Sequence, residues 1–483
     1  MQPHASALTT PTRELAPLTL AALVDACADA LAAGSRLVTL YGRRSASGVV
    51  VTAVVQSAAS GLRLLRATAG DGAHYPSLTA RFPAAQMFER ELWEQTGLVP
   101  DGHPWLKPVR FEGARQQRMA EYPFFTVRGQ DVHEVGVGPV HAGVIEPGHF
   151  RFMCHGERVQ HLEIQLGYQH RGVESLLLAR PPHAVTSLVE SIAGDTSIAY
   201  AWGWCAAVEA LAGVTLAPGV ERVRGVALEL ERIAMHLVAL TGLATDIAFL
   251  QGGTTYGRLR TAIINATMRV CGSRFGRGWL RPGGVRHAID DERRRDLLDT
   301  LAAFSKDLAE VDALMLASRS VRSRFTGTGI VTPQAARDLG LVGLAARASG
   351  IATDARTDLP GRLYPEHPIE VLTEDAGDCQ ARLQLRMREI GASVAWLRRV
   401  LESPAADLAD DRLVPPGALQ PDTLCVTVRE GFRGPVVQAL ETGADGRLVH
   451  CKLQDPSMQN WFGLAIAVRD NEISDFPICN KSF

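Results

Sequence analysis

The spacing of apolar positions changes several times along the chain, and each change marks a different kind of element. From about Leu18 to Phe111 an amphipathic opening helix gives way to the runs RLVTLYG, GVVVTAVVQ and LRLLRATA, which are rich in β-branched and large aliphatic residues and read as strands. The stretch AHYPSLTARFPAAQMFERELWEQTGLVPDGHPWLKPVRF follows, with a proline-marked start, a charged helix and a Gly/Pro-containing loop. Residues 18–111 are therefore predicted to form a small α/β domain. Residues 1–17 read as a flexible, frayed N-terminus, and residues 112–131, polar and without sustained periodicity, as a linker.

Beyond His133 the pattern shifts. RFMCHGERVQHLEIQL, residues 151–166, predicts a two-stranded ribbon turning near His155 and Gly156, followed by helix-rich sequence to about Leu401. Within it Val223, Val226, Leu230, Ile233, Leu237 and Leu240 recur at steps of three and four, which places one apolar stripe on a helix that must bury against other helices. The tail from Leu424 returns to strand patterns, CVTVREG, VVQALETG and LVHCKLQ, separated by glycine-rich turns such as GADG. The fold class expected is multidomain α+β, with residues 132–483 forming a second, mainly helical domain with peripheral strands. The length of 483 residues is ample for large buried cores.

Composition narrows the function. With 50 Lys+Arg against 52 Asp+Glu and no long run of either sign, nothing points to nucleic acid or to an anionic membrane surface. No window approaches the roughly 20 uninterrupted apolar residues that span a bilayer, so any membrane association is expected to come through partners. The N-terminus lacks the basic start and apolar core of a secretory signal, which suggests a cytoplasmic chain. The eight cysteines, Cys27, Cys154, Cys205, Cys271, Cys379, Cys425, Cys451 and Cys479, are scattered with no CxxC spacing, and each is expected as a small buried hydrophobe in a reducing compartment. No GxGxxG follows a strand and opens a helix, so a dinucleotide-binding reading fails.

Several motifs in register carry a family resemblance over nearly the whole chain. YPSLTARFPAAQMFERELWEQTGLVPDGHPWL resembles the small α/β subunit of respiratory complex I and its equivalent in formate hydrogenlyase. GVGPVHAGVIEPGHFRF through LGYQHRGVESLL, then ELERIAMHL, LRPGGV, GLVGLAARASG, GDCQARLQLRM and ISDFPICNKSF, resemble the large subunit of membrane-bound, energy-converting nickel-iron hydrogenases, related in turn to the quinone-site subunit of complex I. The fusion of the two modules is itself typical of the formate hydrogenlyase large subunit.

The resemblance implies a metal or quinone cavity, yet the residues at its key positions differ from both. The hydrogenase site needs four thiolates, from two CxxC pairs, to hold nickel and iron. In the first pattern, ERxCGxCxxxH, this sequence places Ala193 and Thr196 at the cysteines and Tyr200 at the histidine. In the second, DPCxxC, Asp475 stands at the aspartate, Pro477 and Asn480 at the cysteines, and Cys479 one position off. No nickel-iron centre is expected in this chain. The quinone-binding tyrosine of complex I corresponds to Gly194. The histidine-bearing turn retains only His141, while Glu146 matches the glutamate near the hydrogenase metal.

Arg171, Gly172 and Glu174 match the RGxE motif of the cavity wall, where a charged pair is either proton-handling or a structural ion pair. The resemblance places Asp195 and Glu146 at positions facing the metal of the hydrogenases, where they either relay protons or satisfy neighbouring arginines. Tyr200 is a donor to a quinone carbonyl or a satisfied core tyrosine. The candidate catalytic set is thus Glu146, Arg171, Glu174, Asp195 and Tyr200, with His141, Thr196, Asp475 and Cys479 as candidate cofactor-binding positions. His236 is expected to be a satisfied core histidine.

By resemblance, the chain is a peripheral subunit on the cytoplasmic side of the cell membrane. Its expected partners are an iron-sulfur small subunit that supplies the cluster, a ferredoxin-like subunit, and antiporter-like and other integral membrane subunits. Two functions follow: electron transfer from the partner cluster to a quinone-like acceptor coupled to ion translocation, or a catalytically silent scaffold that couples conformational change to ion movement.

Overall fold

The computed structural model describes residues 6–112, 118–129, 131–141, 147–403, 408–409 and 412–483. The N-terminal module is built from α1 (Leu20–Ala32), β2 (Arg36–Ser45), β3 (Gly48–Ser57), β4 (Gly61–Ala69) and α2 (Gln86–Thr96). β2 pairs antiparallel with β3 and β3 with β4, and the two-residue strand Pro17–Leu18 adds in parallel at the β4 edge. This is the predicted α/β domain, and the three strands fall on the three runs read from the sequence.

The N-terminal segment departs from the frayed end expected of it. Ala7–Pro11 forms β1, which pairs antiparallel with β8 (Thr423–Glu430) far along the chain. A four-stranded sheet results, in the order β1, β8, β9 (Pro435–Thr442), β10 (Leu448–Gln454). A second antiparallel sheet joins β5 (Val132–Val137), β6 (His149–His155) and β7 (Arg158–Gln165); its β6–β7 pair is the predicted ribbon.

Helices make up most of what remains. They include the short α3 (Val173–Leu178), then α4 (Ser197–Leu211), α5 (Pro218–Asp246), α6 (Leu250–Cys271), α7 (Asp291–Ala317), α8 (Cys379–Leu401), α9 (Ser457–Ala467) and the seven-residue α10 (Phe476–Ser482). α4 is buried on nearly every side, as expected of a helix apolar all round. It lies against β8 and β9 by way of Gly203, where a Cβ would meet the Gln438 amide at 3.0 Å; Thr427 Oγ1 donates to the Gly203 carbonyl at 3.1 Å. The α5 stripe read from the sequence is buried throughout, and Pro218 at its first turn removes only a donor that would lack a helical partner anyway.

The two modules share a core. Val38, Tyr41 and Val54 of the N-terminal sheet pack against Val426, Val428, Val437 and Ala439 of the C-terminal one. Around this apolar contact sit buried charges. Arg43 and Arg66 both reach Glu441 of β9, at 3.0 and 2.5 Å. The helix read as charged, α2, is buried because its acids have internal work. Glu89 accepts from Ser77, Leu78 and Thr79, and Glu94 from the backbone of Val109, Arg110 and Glu112. Glu91 takes Lys452 Nζ at 2.5 Å and Arg110 Nη2 at 2.7 Å. Glu174, on α3, completes the group, with Arg110 Nη1 at 3.3 Å, Lys452 Nζ at 3.4 Å and the Leu453 N–H at 2.8 Å.

Burial alone pushes the Glu174 carboxyl up, but Lys452 and Arg110 outweigh it and hold the group down at about 2. Its folded pKa thus lies below its unfolded one, so the stability it contributes is present above about pH 4.5 and is lost as pH falls toward 2. A shift of this size corresponds to about 3 kcal/mol. Glu174→Gln is therefore expected to flatten the decline in unfolding free energy between pH 5 and 3, measured by urea titration; an unchanged acid slope would remove Glu174 from this role. Lys452→Ala leaves two buried carboxylates short of their cation and is expected to cost about 3–5 kcal/mol. Asp71→Ala, at the solvent-exposed Arg44–Asp71 pair, is expected to cost less than about 1 kcal/mol. Equal denaturant midpoints for these two variants would contradict the assignment of the quartet as the inter-module clamp.

Candidate functional site

The segment Val189–Glu209 is not one continuous helix. α4 begins only at Ser197; residues 190–196 form a turn after the short helix Thr186–Val189, and this turn carries Ala193 and Thr196, the positions that the sequence resemblance sets against cysteines. Glu231 of α5 reaches the start of α4 and accepts from the Ile198 and Ala199 N–H groups at 2.6 and 3.2 Å, satisfying two donors that the first helical turn leaves without partners. Burial pushes this carboxyl up to about 8, against those two donors, and neighbouring Asp195 adds to the rise. Glu231 is thus an acid able to hold a proton near neutral pH.

Beside this turn lies a cavity of about 240 Å³. Its walls come from the Gly167–Arg171 loop, α3, the turn at Ile192 and Ala193, Tyr200 of α4, and the segment from Leu453 to Trp461 at the end of β10 and the start of α9. Arg110 of the N-terminal module closes one side. The Tyr200 hydroxyl donates to Asp455 Oδ2 at 2.8 Å, while Asp455 Oδ1 accepts from the Ser457 N–H at 2.9 Å, which fixes the carboxylate at the turn entering α9. Tyr200 itself is almost wholly buried.

Three of the candidate residues read from the sequence, Arg171, Glu174 and Tyr200, meet in this cavity. Arg171 and Glu174 do not form the charged pair that the RGxE spacing suggests. Arg171 Nη2 donates to the Ser191 and Ile192 carbonyls at 3.0 and 2.7 Å, pinning the turn before α4, while Glu174 turns the other way into the inter-module quartet. The physical reason is that α3 opens at Gly172, with φ +62, so the two side chains leave the backbone in different directions.

Other candidates lie apart from the cavity lining. Asp195 is paired with Arg433 Nη1 at 2.5 Å and accepts from Thr196 Oγ1 at 2.9 Å, so both residues are engaged with each other and with an arginine. His141 Nε2 lies 3.0 Å from the Gly148 carbonyl and its ring packs on Phe150. Asp475 pairs with Arg324 at 3.0 Å, its carboxyl raised chiefly by burial, and Cys479 is buried facing Cys379. Glu146 lies outside the described residues. His236 is fully buried between Arg386 and Glu389, and burial holds its imidazole down at about 4, as a neutral core histidine.

The sequence offered little sign of Asp455, Arg110 or Arg433. Asp455 precedes a proline and reads as a turn residue, and Arg110 and Arg433 lie in loops without periodicity. Glu231 was legible only as one letter of ELERIAMHL. Among the described residues no group of three or more His, Cys, Asp or Glu side chains is arranged to hold a metal ion, and no helix is long and apolar enough to cross a membrane.

Comparison with known proteins agrees with this architecture. Residues 14–120 match the family described as the 30 kDa subunit of respiratory-chain NADH dehydrogenase, and residues 246–416 match its 49 kDa subunit. Arg171, Tyr200 and Asp455 lie outside both stretches. Formate hydrogenlyase subunit 5 of Escherichia coli (strain K12) is 30% identical over 431 residues, covering 84% of this chain and 74% of that protein. Hydrogenase-4 component G of the same organism is 28% identical over 430 residues with the same coverage. A chain in the structure of the membrane-bound sulfane sulfur reductase, an archaeal respiratory membrane complex, shares the fold with a TM-score of 0.68 at 22% identity, over 73% of this chain and 96% of that one. The chain belongs to the family that unites formate hydrogenlyase large subunits with the fused 30 kDa and 49 kDa subunits of respiratory NADH dehydrogenase.

Proposed function

We propose that this chain is the catalytic-type subunit of a membrane-bound respiratory complex, and that it passes electrons from an iron-sulfur cluster of a partner subunit to a quinone-like acceptor without a nickel-iron centre of its own. The observation that carries this reading is the hydrogen-bonded Tyr200–Asp455 pair on the wall of the 240 Å³ cavity. A tyrosine hydroxyl held by a carboxylate can deliver a proton to an acceptor oxygen as electrons arrive. Reducing a quinone takes two electrons and two protons. The electrons come from the partner cluster, and the Tyr200–Asp455 pair provides a path for protons, with Glu231 as a further proton-holding group beside the start of α4.

The donor set does not fit nickel and iron. Ala193 and Pro477 carry no coordinating side-chain atom, Thr196 is tied to Asp195, and the Cys479 sulfur is directed toward Cys379. A soft thiolate cage has no substitute among such groups. Iron-sulfur and membrane-embedded partners, a ferredoxin-like subunit among them, a position on the cytoplasmic face, and coupling to ion translocation all belong to this same proposal. It is supported by the similarity to formate hydrogenlyase subunit 5 and hydrogenase-4 component G and by the fold shared with a chain of an archaeal respiratory membrane complex.

Elemental analysis of the chain purified with its partner subunits is expected to return iron and no nickel; stoichiometric nickel would overturn the metal-free assignment. In the same preparation a short-chain quinone should reoxidise the reduced partner cluster. Tyr200→Phe and Asp455→Asn are each expected to lower that rate by about 100-fold while leaving the cluster's spectrum intact. Wild-type rates in both variants, or no quinol formed by the unmodified complex, would favour the scaffold reading instead.

A further inference from the structure

Cys379 and Cys479, a hundred residues apart in sequence, bring their sulfur atoms within 3.9 Å of each other. Cys379 is the first residue of α8, just after its cap Asp378, and Cys479 lies in α10. Arg382, one turn into α8, places Nη2 3.3 Å from Cys379 Sγ, and Ser482 Oγ lies 3.7 Å from the same sulfur. A helix N-terminus, a guanidinium and a second thiol all favour negative charge on Cys379. The S–H of Cys479 is the largest of these influences; with Arg382 and Ser482 it holds Cys379 down at about 6 in spite of burial. The same contact pushes Cys479 up and keeps it a thiol. One sulfur is thus set as a nucleophile and the other as its resolving partner.

The pair is buried, and the backbone at Gly329 packs against both sulfurs. Over it runs the turn Thr326–Ile330, whose Thr326, Gly327 and Ile330 face solvent. Gly329 sits directly on the sulfurs: a Cβ there would lie 2.7 Å from Cys479 Sγ and 3.2 Å from Cys379 Sγ, and its φ of +66 suits glycine. The exposed residues of this turn place the sulfurs close beneath the protein surface. The remaining cysteines stay buried with thiols that the hydrophobic surroundings hold protonated where a shift is resolved, as for Cys27 and Cys425.

We propose that Cys379 and Cys479 form a redox-active dithiol, which hydrogen peroxide oxidises to a disulfide joining α8 to α10. The Cys379 thiolate attacks one peroxide oxygen, the O–O bond breaks, and the departing hydroxide takes a proton and leaves as water. The Cys479 sulfur then attacks Cys379 Sγ, the S–O bond breaks, and the hydroxyl leaves with the Cys479 proton as a second water. Two thiols and one peroxide become one disulfide and two waters, so peroxide takes up the two electrons. The short α10, held through Lys481 to Asp246 and through the cap Asp475 to Arg324, would then be covalently tied to the bundle.

The test is peptide mapping of the full chain, purified with any subunits that accompany it, after graded peroxide and alkylation under denaturing conditions. The expected product is a tryptic species linking residues 363–382 to 470–481, reversed by dithiothreitol, and formed about tenfold or more faster than peroxide consumes Cys27 or Cys425. In Cys479→Ser the link should vanish and a sulfenic acid at Cys379 should become trappable by dimedone. The proposal is overturned if the two peptides stay unlinked while other thiols are lost, or if wild-type Cys379 proceeds to sulfinic acid without a link. The wild-type map decides the question even if the variant fails to fold.

Discussion

Two positive and two negative side chains, Arg110, Lys452, Glu91 and Glu174, lie together at the boundary between the modules, and the candidate site depends on their balance. Each acid takes both cations, and each module contributes to both signs: Glu91 and Arg110 from the N-terminal side, Glu174 and Lys452 from the C-terminal side. Separating the modules would leave buried charges without counterions, which is far costlier than losing surface pairs of equal number. Arg110 and Glu174 also line the cavity, so the group that holds the modules in register sets one of its walls. Fusion of the two modules in one chain keeps these partners at high effective concentration.

How much of this the sequence announced depends on whether the signal was periodic. Strand runs such as GVVVTAVVQ and the α5 stripe carry their own two-fold or 3.6-fold pattern, and both formed where they were read. The strand at Ala7–Pro11 carries no such pattern; it exists because β8 offers an edge, and no local signal foretells a partner more than 400 residues away. The acids of α2 mislead for the opposite reason. Charge normally marks a solvated face, yet Glu89, Glu91 and Glu94 are buried because backbone N–H groups and cations surround them, and those partners come from distant segments.

The site was legible in part for the same reason. Motif spacing led to Arg171, Glu174 and Tyr200, which do meet at one cavity, but the RGxE pattern alone implied a pair that the αL backbone of Gly172 splits. Asp455, which gives Tyr200 its hydrogen-bond partner, lies 255 positions further on in a loop, and only the folded chain joins the two. Loops carry function in this way because a rigid scaffold positions them, and their own sequence bears little trace of it.

The turn before α4 carries Ala193 and Thr196 where the sequence resemblance leads one to expect thiolates. A turn bearing two soft ligands would direct its side chains at a shared ion. Here the same turn is instead stitched inward: Arg171 holds its carbonyls, Arg433 holds Asp195, Thr196 bonds Asp195, and Glu231 caps the helix that follows. Each of these bonds uses a donor or acceptor that would otherwise be free to meet a ligand, so the turn has become wall. Of the polar groups that line the adjacent cavity, Tyr200 comes from α4 just beyond this turn and Asp455 from the segment entering α9, and the two are hydrogen-bonded to each other. On the proposed reading, chemistry at this pocket runs through hydrogen-bonded protons held by the oxygen atoms of Tyr200 and Asp455, which is what reduction of an organic acceptor requires.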